Sequence, residues 1–315
     1  MADPSTNLAH SIRKEAARLG FCAIGFSSPI PQPLAMQRYN NMIAEHRHGE
    51  MVYMENRLNE RALPSMLLPD LKTIISSAIS YNKKVDTIAG QPVISKYALI
   101  DDYHTVVREK LHQLLEYLKA LLGEDINATI TVDSSPVLEK TWAEHSGIGK
   151  TGKNTLLIIP SAGTYVFLGE LLIDKQLFDN KPPLPNLCGS CTKCLDSCPT
   201  SALVEPGKLD ATRCISYLTA ELKREFTPEE SAMIGNHLFG CDQCQQVCPH
   251  NHQTTIPPDS SFTLHQNLLN ITPETILTLT KSTFRTLFQG TPIYRIGLKR
   301  LKRNALAVSK NQQTT

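Results

Sequence analysis

The sequence predicts an α+β protein in three parts: an N-terminal α/β sandwich domain, a small cysteine-rich domain and a short helical C-terminal segment. The first part mixes helical and strand periodicities. Residues 181–185 form a proline-rich stretch typical of a linker, and eight of the nine cysteines follow it. We therefore place the domains at residues 1–180, 181–255 and 256–315. With 315 residues and 41% hydrophobic residues, the chain is long enough for a substantial core.

The first part opens with a helix and a strand. Apolar residues recur at helical spacing at Leu8, Ile12, Ala16 and Leu19. We expect Ser5 or Thr6 to cap this helix and Gly20 to end it. Residues 21–26 and 73–81 are apolar runs of strand length, and we expect the second to be a central strand.

A long amphipathic helix is predicted next, ending at Gly123. One face carries Val107, Leu111, Leu114, Leu115, Leu118 and Leu122. Residues 126–132 alternate apolar and polar side chains, which predicts a strand. Residues 155–159 and 165–173 read as the two arms of a hairpin. A hairpin favours an α+β sandwich over a doubly wound parallel sheet.

The cysteines form two runs with one cysteine between them, and their spacing predicts two [4Fe-4S] clusters. The first run has the bacterial ferredoxin spacing, in which three thiolates hold one cluster and the fourth reaches a second cluster. Because each cluster takes four thiolates, two clusters use all eight. We assign one cluster to Cys188, Cys191, Cys194 and Cys248, and the other to Cys198, Cys214, Cys241 and Cys244.

Disulfides and zinc are the alternatives for these cysteines. Disulfides suit short secreted chains, and residues 1–20 contain no continuous apolar stretch that would indicate an export signal. Zinc sites usually use separated cysteine pairs, which the first run does not resemble. The clusters and the missing signal predict a cytoplasmic protein. The ninth thiol, Cys22, is expected to be a buried hydrophobe.

A glycine-rich stretch at residues 147–154 matches two nucleotide-binding patterns. Both patterns need a strand before the glycines and a helix after them. Here the predicted order is reversed, with a helix at 137–146 and a strand at 156–159. Asn154 also stands where a phosphate loop needs Ser or Thr. We therefore expect no nucleotide site there.

The C-terminal segment is basic, whereas the rest of the chain is mildly acidic. From residue 275 to the end there are eight Lys or Arg and no Asp or Glu. Of the 32 basic and 30 acidic residues in the chain, this leaves 24 and 30 for residues 1–274, a net charge of −6. Such a basic segment can bind phosphate backbones. It can equally be the solvated face of a helix whose leucines pack inward.

Asp133 is the carboxylate that the sequence singles out. It lies at the end of the predicted strand at residues 126–132, just before a turn. Strand ends often carry reactive groups, but a carboxylate before a turn is also an ordinary helix cap. Position alone leaves both roles open. Tyr103 and His104, at the start of the long helix, are similarly ambiguous.

Several motifs together resemble the epoxyqueuosine reductase family. They are the first cysteine run through Pro199, residues 213–219, residues 240–245, residues 95–98 and 102–104, Val132 with Asp133, and residues 147–154. They extend from about Arg61 to Asn304, nearly the whole chain. The combination is specific, whereas the cysteine spacing alone is not.

The resemblance implies that the chain reduces epoxyqueuosine to queuosine at the wobble position of tRNA, the last step of queuosine biosynthesis. It implies cobalamin in the N-terminal domain and electrons supplied through the two clusters. The implied cobalamin contacts are Arg61, Ser95, Tyr97, Asp133, Leu157, Leu168, Ser216, Cys241 and Asp242. Asp133 would be catalytic, donating a proton to the released oxygen, and desolvation would raise its pKa. The missing DxHxxG motif fits cobalamin bound without a protein histidine on cobalt, and equally no cobalamin.

The resemblance also gives the basic segment a purpose, because enzymes that modify one base of an RNA loop extract it into a pocket. We predict tRNA contacts at Lys223, Arg295, Lys299, Arg300, Lys302 and Arg303. We expect a monomer with no membrane contact and an external electron donor of unknown identity. The alternatives are a reductive dehalogenase-like corrinoid iron–sulfur enzyme, a plain two-cluster electron carrier, or a cluster-bearing RNA-binding protein.

Overall fold

The computed structural model describes residues 4–85, 91–123, 125–177 and 181–314. The part up to residue 177 alternates helices with strands. Its helices and strands are, in chain order, α1 (Pro4–Arg18), β1 (Ala23–Ser27), α2 (Pro33–Ala44), α3 (Leu58–Ala62), β2 (Thr73–Ser80), β3 (Val93–Ile94), α4 (Tyr103–Leu122), β4 (Ala128–Thr131), α5 (Glu139–His145), β5 (Lys150–Thr151), β6 (Leu157–Ile158) and β7 (Val166–Ile173).

The part from residue 181 has only short strands and ends in helices. Its helices and strands are α6 (Lys193–Asp196), β8 (Leu203–Glu205), β9 (Lys208–Leu209), α7 (Ile215–Ala220), α8 (Pro228–Met233), β10 (His237–Phe239), α9 (Gln243–Gln246), α10 (Pro273–Thr278), α11 (Lys281–Phe288) and α12 (Gly297–Thr314). The predicted α+β class, with mixed sheet and helices, is confirmed.

A four-stranded antiparallel sheet with the order β1–β2–β7–β4 forms the centre of the first part. β2 is buried along its whole length and pairs with β7 from Thr73↔Ile173 to Ser80↔Val166. Because strand side chains alternate, Ile75 and Ile79 pack in the core with α1 and α4. Ile74 instead packs with Trp142 of α5. This is the predicted sandwich, with β2 as the predicted central strand.

The ends of α4 follow capping rules, whereas the predicted cap of α1 is wrong. The Asp102 side chain accepts a hydrogen bond from the His104 N–H, and Gly123 ends α4 at φ 66°. Helix α1 already begins at Pro4, so Ser5 and Thr6 lie inside it. Proline is favoured in the first turn of a helix because it lacks the N–H that would otherwise be unpaired there.

The predicted hairpin of residues 155–159 and 165–173 is wrong. β6 pairs with β5, Lys150 lying opposite Ile158, through a turn that places Thr155 at φ 66°. β7 has both edges occupied by β2 and β4. The connection between β6 and β7 keeps a single bridge, Ile159 to Gly163. Sequence periodicity identified the strands but could not identify their partners.

A second core joins the C-terminal helices to the N-terminal part. Leu218, Leu238, Phe288 and Leu301 are buried together with Ala98. β3 pairs in parallel with β10 across the predicted boundary between the first two domains. The predicted domain limits stay a prediction, and this pairing crosses them. In the part of the chain that the structure describes, no helix is long and apolar enough to cross a bilayer.

Helix α12 contains two buried polar side chains that fix it to α7. The Arg303 guanidinium donates to the carbonyls of Leu218 and Leu222, and Asn304 Nδ2 donates to the carbonyls of Thr219 and Leu238 at 2.8 and 2.9 Å. Arg303 is only 7% exposed. This burial speaks against the predicted tRNA contact of Arg303, since its donors already bind buried carbonyls.

We predict that Asn304→Ala lowers the free energy of unfolding by about 2 kcal/mol, because it leaves two buried carbonyls without a donor. Urea denaturation followed by circular dichroism measures this loss. Leu306→Ala, on the exposed side of the same helix, is the matched control and should change the midpoint little. Equal effects of the two changes would contradict the role given to Asn304.

Candidate redox and substrate site

The structure places the two predicted sets of cysteines around two separate cavities. Cys188, Cys191, Cys194 and Cys248 line a cavity of about 160 Å³, here called the outer cavity. Cys198, Cys214, Cys241 and Cys244 line one of about 300 Å³, here called the inner cavity. Within the described residues no three Cys, His, Asp or Glu side chains converge on the position of a single metal ion. The thiols surround spaces instead, as cluster ligands do.

The chemistry of the inner thiols fits a metal cluster. Burial raises the pKa of Cys241 to about 12 and also raises the pKa of Cys244, to which the neighbouring thiolates add repulsion. Four thiolates around one cavity therefore need the positive charge of bound metal ions. Backbone N–H groups supply further stabilisation, from Ala202 to Cys198 Sγ and from Lys153 to Cys188 Sγ.

Asp242 ties the inner cavity to the N-terminal part. Its carboxylate, 3% exposed, accepts hydrogen bonds from the Lys96 N–H at 2.7 Å and from Ser95 Oγ at 3.3 Å. Gly240 has φ +70°, and a Cβ there would stand 2.4 Å from Ser95 Oγ, so only glycine fits this approach. Tyr97, the residue after Lys96, lines the inner cavity.

A polar cleft of about 520 Å³ adjoins the inner cavity at Tyr97, which lines both. The cleft lies between the N-terminal sheet and the C-terminal helices. Its lining comprises Tyr53, Arg61, Tyr97, Tyr103, Asp133, Ser134, Ala220, Glu221, Lys223, Phe239, Pro292, Arg295, Ile296 and Arg300. Aromatic, cationic and carboxylate groups thus meet around one space large enough for a nucleoside.

Asp133 projects into this cleft from a strained backbone position. Its φ of 56° is in the left-handed region. Its Oδ2 lies 3.1 Å from His104 Nε2, and His104 Nδ1 lies 2.7 Å from Asp102 Oδ1. Arg295 Nη1 is 4.0 Å from Asp133 Oδ2, and the Asp133 N–H donates to Glu139 Oε1 at 2.6 Å. Three neighbours, His104, Arg295 and Glu139, therefore contact the aspartate, and Asp102 orients the first of them.

The expectation that desolvation raises the pKa of Asp133 is wrong for this arrangement. Burial does raise it, but the hydrogen bond and charge of His104 outweigh burial and hold the pKa of Asp133 below its usual value. Partial burial lowers the pKa of His104, but Asp102 and Asp133 outweigh this and raise it to about 9. The proton of the pair therefore resides on His104 at neutral pH. Burial strongly raises the pKa of Tyr103, which stays a neutral phenol.

The predicted cobalamin contacts divide into three groups. Arg61, Tyr97 and Asp133 line the cleft, and Ser216, Cys241 and Asp242 line the inner cavity with Tyr97. Ser95 is fully buried behind them, bound to Asp242. Leu157 and Leu168 line neither space, because they pack with Ala78 and Ala143 between α5 and the sheet. The structure therefore does not bring these two leucines to the site.

The predicted tRNA contacts also differ in their surroundings. Lys223, Arg295 and Arg300 line the cleft. The Lys299 side chain is 91% exposed, Lys302 is half-buried, and Arg303 is buried as described above. The cationic surface at the cleft is therefore smaller than the charge of the segment suggested.

Sequence analysis did not select His104 and Glu139 as site residues. His104 was ambiguous because nothing in the sequence connects it with Asp133, and folding brings them together. One sequence feature could have identified Glu139: it begins the helix that follows the loop after Asp133, so its carboxylate can reach that loop. Tyr53, exposed at 55% and lining the cleft, gave none.

Comparisons with known proteins agree with this site. A family model described as "4Fe-4S double cluster binding domain" matches residues 187–251, and one described as "Epoxyqueuosine reductase QueG" matches residues 61–134. The epoxyqueuosine reductase of Cellulophaga algicola is 38% identical over 95% of this chain and 98% of its own length. That of Pseudomonas aeruginosa is 37% identical over 99% of this chain and 88% of its own.

Solved structures give the same result. A crystal structure of epoxyqueuosine reductase with an epoxyqueuosine-modified tRNA-Tyr stem loop matches with a TM-score of 0.88 and 30% identity, over 98% of this chain and 82% of that one. The Bacillus subtilis enzyme, solved with its catalytic aspartate loop swung out of the active site, matches with a TM-score of 0.83 and 31% identity, over 98% and 82%. A reductive dehalogenase matches with a TM-score of 0.52 and 15% identity, over 97% of this chain and 38% of that one, which concerns the fold alone.

The two cysteine-lined cavities, the adjoining cleft and the full-length similarity lead to one conclusion. The chain carries a domain for two [4Fe-4S] clusters and is an oxidoreductase that belongs to the epoxyqueuosine reductase family.

Proposed function

We propose that this chain reduces epoxyqueuosine to queuosine in tRNA, with cobalamin in the cleft and electrons arriving through the two clusters. One observation carries the proposal: Tyr97 lines both the cleft that contains Asp133 and the cavity of the inner cysteines. A cluster held by the inner cysteines and a proton donated by Asp133 would therefore meet at one space. We further propose a cytoplasmic monomer supplied by an external electron donor.

The residues around the cleft fit a large polar cofactor such as cobalamin. Arg61 lines the cleft, and its buried Nε has no hydrogen-bond partner among the described residues. An unpartnered buried donor is costly unless a ligand satisfies it. Arg61, Tyr97, Ser216, Cys241 and Asp242 would hold the cofactor between the cleft and the inner cavity. Bound there, cobalamin would supply the low-potential metal chemistry that opens the epoxide.

Electrons would travel from the outer cluster to the inner cluster. The inner cavity shares Tyr97 with the cleft and Asn154 with the outer cavity, whereas the outer cavity shares no lining residue with the cleft. The outer cluster is thus the natural entry point for an external donor. Conversion of an epoxide to an alkene and water takes two electrons and two protons, so two single-electron deliveries complete one turnover.

The first proton would come from the pair of His104 and Asp133. The epoxide oxygen leaves as a strongly basic alkoxide, so an acid at that oxygen lowers the barrier. Asp133 lines the cleft, and its Oδ2 lies 3.1 Å from His104 Nε2. When substrate excludes water from the cleft, desolvation favours the neutral acid at Asp133. A proton can then pass from His104 through Asp133 to the substrate, while Asp102 keeps the imidazole oriented.

The rival of a plain electron carrier does not explain the cleft. A carrier needs clusters near its surface but has no need for a strained aspartate beside a protonated histidine. Lys223, Arg295 and Arg300 add positive charge at the cleft wall, which suits the phosphates around an extruded base. The most direct test is to incubate reconstituted protein, cobalamin and a strong reductant with epoxyqueuosine-containing tRNA. Mass spectrometry of the nucleosides should then show loss of one oxygen, and no conversion with loaded cofactors would overturn the proposal.

We predict that Asp133→Asn lowers kcat by about 10²–10⁴-fold, since the amide cannot donate the proton as an acid. Affinity for the tRNA should change little, because the isosteric amide keeps the shape of the cleft. Single-turnover kinetics and a tRNA binding assay separate the two quantities. Full activity of the variant would remove Asp133 from the proton path.

We predict a pH-dependent stability difference between the wild type and His104→Gln. The pKa of His104 is raised from 6.5 to about 9 in the folded protein, so its ion pairs contribute fully below about pH 6.5. That contribution is lost as the pH rises through about 9. Melting temperatures measured across this range should converge at the alkaline end. His112→Gln, at an exposed position of the same helix, is the control, and a constant difference for His104→Gln would contradict the pairing.

We predict that Lys299→Ala weakens tRNA binding and lowers the slope of log Kd against log salt by about one charge. The Lys299 side chain is almost fully exposed and has only a distant ion-pair partner, Glu225 at 4.0 Å. Lys281→Ala, in α11, removes an equal charge from another exposed position and should leave the slope unchanged. If the two variants behave alike, Lys299 is ordinary surface.

A further inference from the structure

We propose that Glu139 is a positioning residue that holds the Asp133 loop, residues 132–138, in its inward position. The inference rests on the proposed function, because it concerns the proton donor of that reaction. It assigns a role to a carboxylate that neither touches the cleft nor pairs with a cation in the way surface carboxylates usually do. Glu139 would attach the loop that carries Asp133 to helix α5, and this attachment is called the latch below.

The backbone of the loop needs such a latch. Strand β4 ends at Thr131, so the sheet does not hold Asp133. Its left-handed backbone, φ 56°, is unfavourable for a residue other than glycine and persists only where neighbours fix it. The hydrogen bonds from the Ser134 N–H to Val132 O and from the Val137 N–H to Ser135 O are internal to the loop. Val132 and Val137 anchor the two ends of the loop in hydrophobic cores, but Asp133 and Ser134 between them are exposed. The internal hydrogen bonds do not attach this exposed part to the rest of the protein.

Glu139 supplies the attachment at the strained residue itself. The Asp133 N–H donates to Glu139 Oε1 at 2.6 Å, so the side chain of Glu139 pairs directly with the backbone of the strained residue. The second attachment, from His104 Nε2 to Asp133 Oδ2, uses the carboxylate that must exchange a proton during the reaction. The backbone bond to Glu139 is therefore the one that can stay constant through turnover.

Glu139 belongs to a helix that is packed firmly against the sheet. Glu139 is the first residue of α5, and Trp142 and Ala143 of the same helix are 1% and 0% exposed against the sheet. Burial and the nearby Asp133 charge raise the pKa of Glu139 to about 7, which distinguishes it from a freely solvated glutamate. In the Bacillus subtilis neighbour the catalytic aspartate loop was found swung out of the active site, so in that protein the loop has a second position.

Hydrogen exchange of the full chain with its clusters tests the latch without any measurement of turnover. Glu139→Ala should increase exchange in a peptide that covers residues 132–138, whereas Glu139→Gln, whose carbonyl oxygen still accepts the N–H, should keep most of the protection. Lys140→Ala is the matched control: the Lys140 side chain points away and donates to Thr155 O. Equal exchange in wild type and Glu139→Ala overturns the proposal. If the alanine variant loses its fold, Glu139→Asp, which keeps the charge but shortens the reach, takes its place.

Kinetics give the second readout. Glu139→Ala should lower kcat by about 100-fold, the size of effect that a misplacement of about 1 Å can have, with tRNA affinity preserved and most activity restored in Glu139→Gln. In the Asp133→Asn background the same change should have almost no further effect, because both act through one donor. Additive losses would show that Glu139 acts elsewhere. If the wild type itself fails to reduce epoxyqueuosine, the proposed function falls, while the exchange result still decides the latch.

Discussion

The joint between residues 93–97 and 237–242 is the constraint on which the rest of the site depends. A parallel pairing of β3 with β10 and the buried Asp242 carboxylate hold these two stretches together. Tyr97 and Cys241 lie within these two stretches, so the inner thiols and the cleft cannot move apart without breaking the buried hydrogen bonds of Asp242. Burial raises the pKa of Asp242, and the donors Lys96 N–H and Ser95 offset that effect. Directional hydrogen bonds therefore fix the inner cavity relative to the cleft, which a hydrophobic contact alone would not orient.

The part of the cleft that carries Asp133 is held differently, by side-chain contacts to a loop. Asp133 sits on a loop beyond the end of a strand, in an unfavourable backbone conformation, and is held by side chains from three elements. Backbone strain of this kind persists only where surrounding groups fix it, and it is concentrated at functional sites. The sandwich beneath it carries none of this strain, since β2 and β7 pair without interruption over eight residues. The regular pairing of the sheet thus contrasts with the side-chain contacts that hold Asp133.

The features that could be predicted from the sequence are those that depend on residues close together in the chain. The grouping of the cysteines followed from spacing alone, and the structure places each set around its own cavity. The long helix α4 followed from its apolar stripe and capping residues. The contact of His104 with Asp133 did not, because it depends on where β4 lies relative to α4. The surroundings of Arg303 could not be predicted for the same reason. A cation in a basic run is expected to be solvated, and only the folded chain shows that Arg303 binds a carbonyl of α7.

Charge balance explains why the two sides must face each other. A cleft lined by tyrosines has a lower dielectric than water, so an uncompensated charge inside it is costly. In the proposed reaction, each electron that enters through the inner cluster would add negative charge, and a proton delivered from His104 would cancel it. Arg295 keeps a permanent positive charge within 4.0 Å of Asp133, which steadies the aspartate when His104 has given up its proton. The strongly raised pKa of Tyr103 prevents that phenol from competing as a donor. In the proposed reaction, proton delivery would thereby be confined to Asp133, the carboxylate that the loop presents to the cleft.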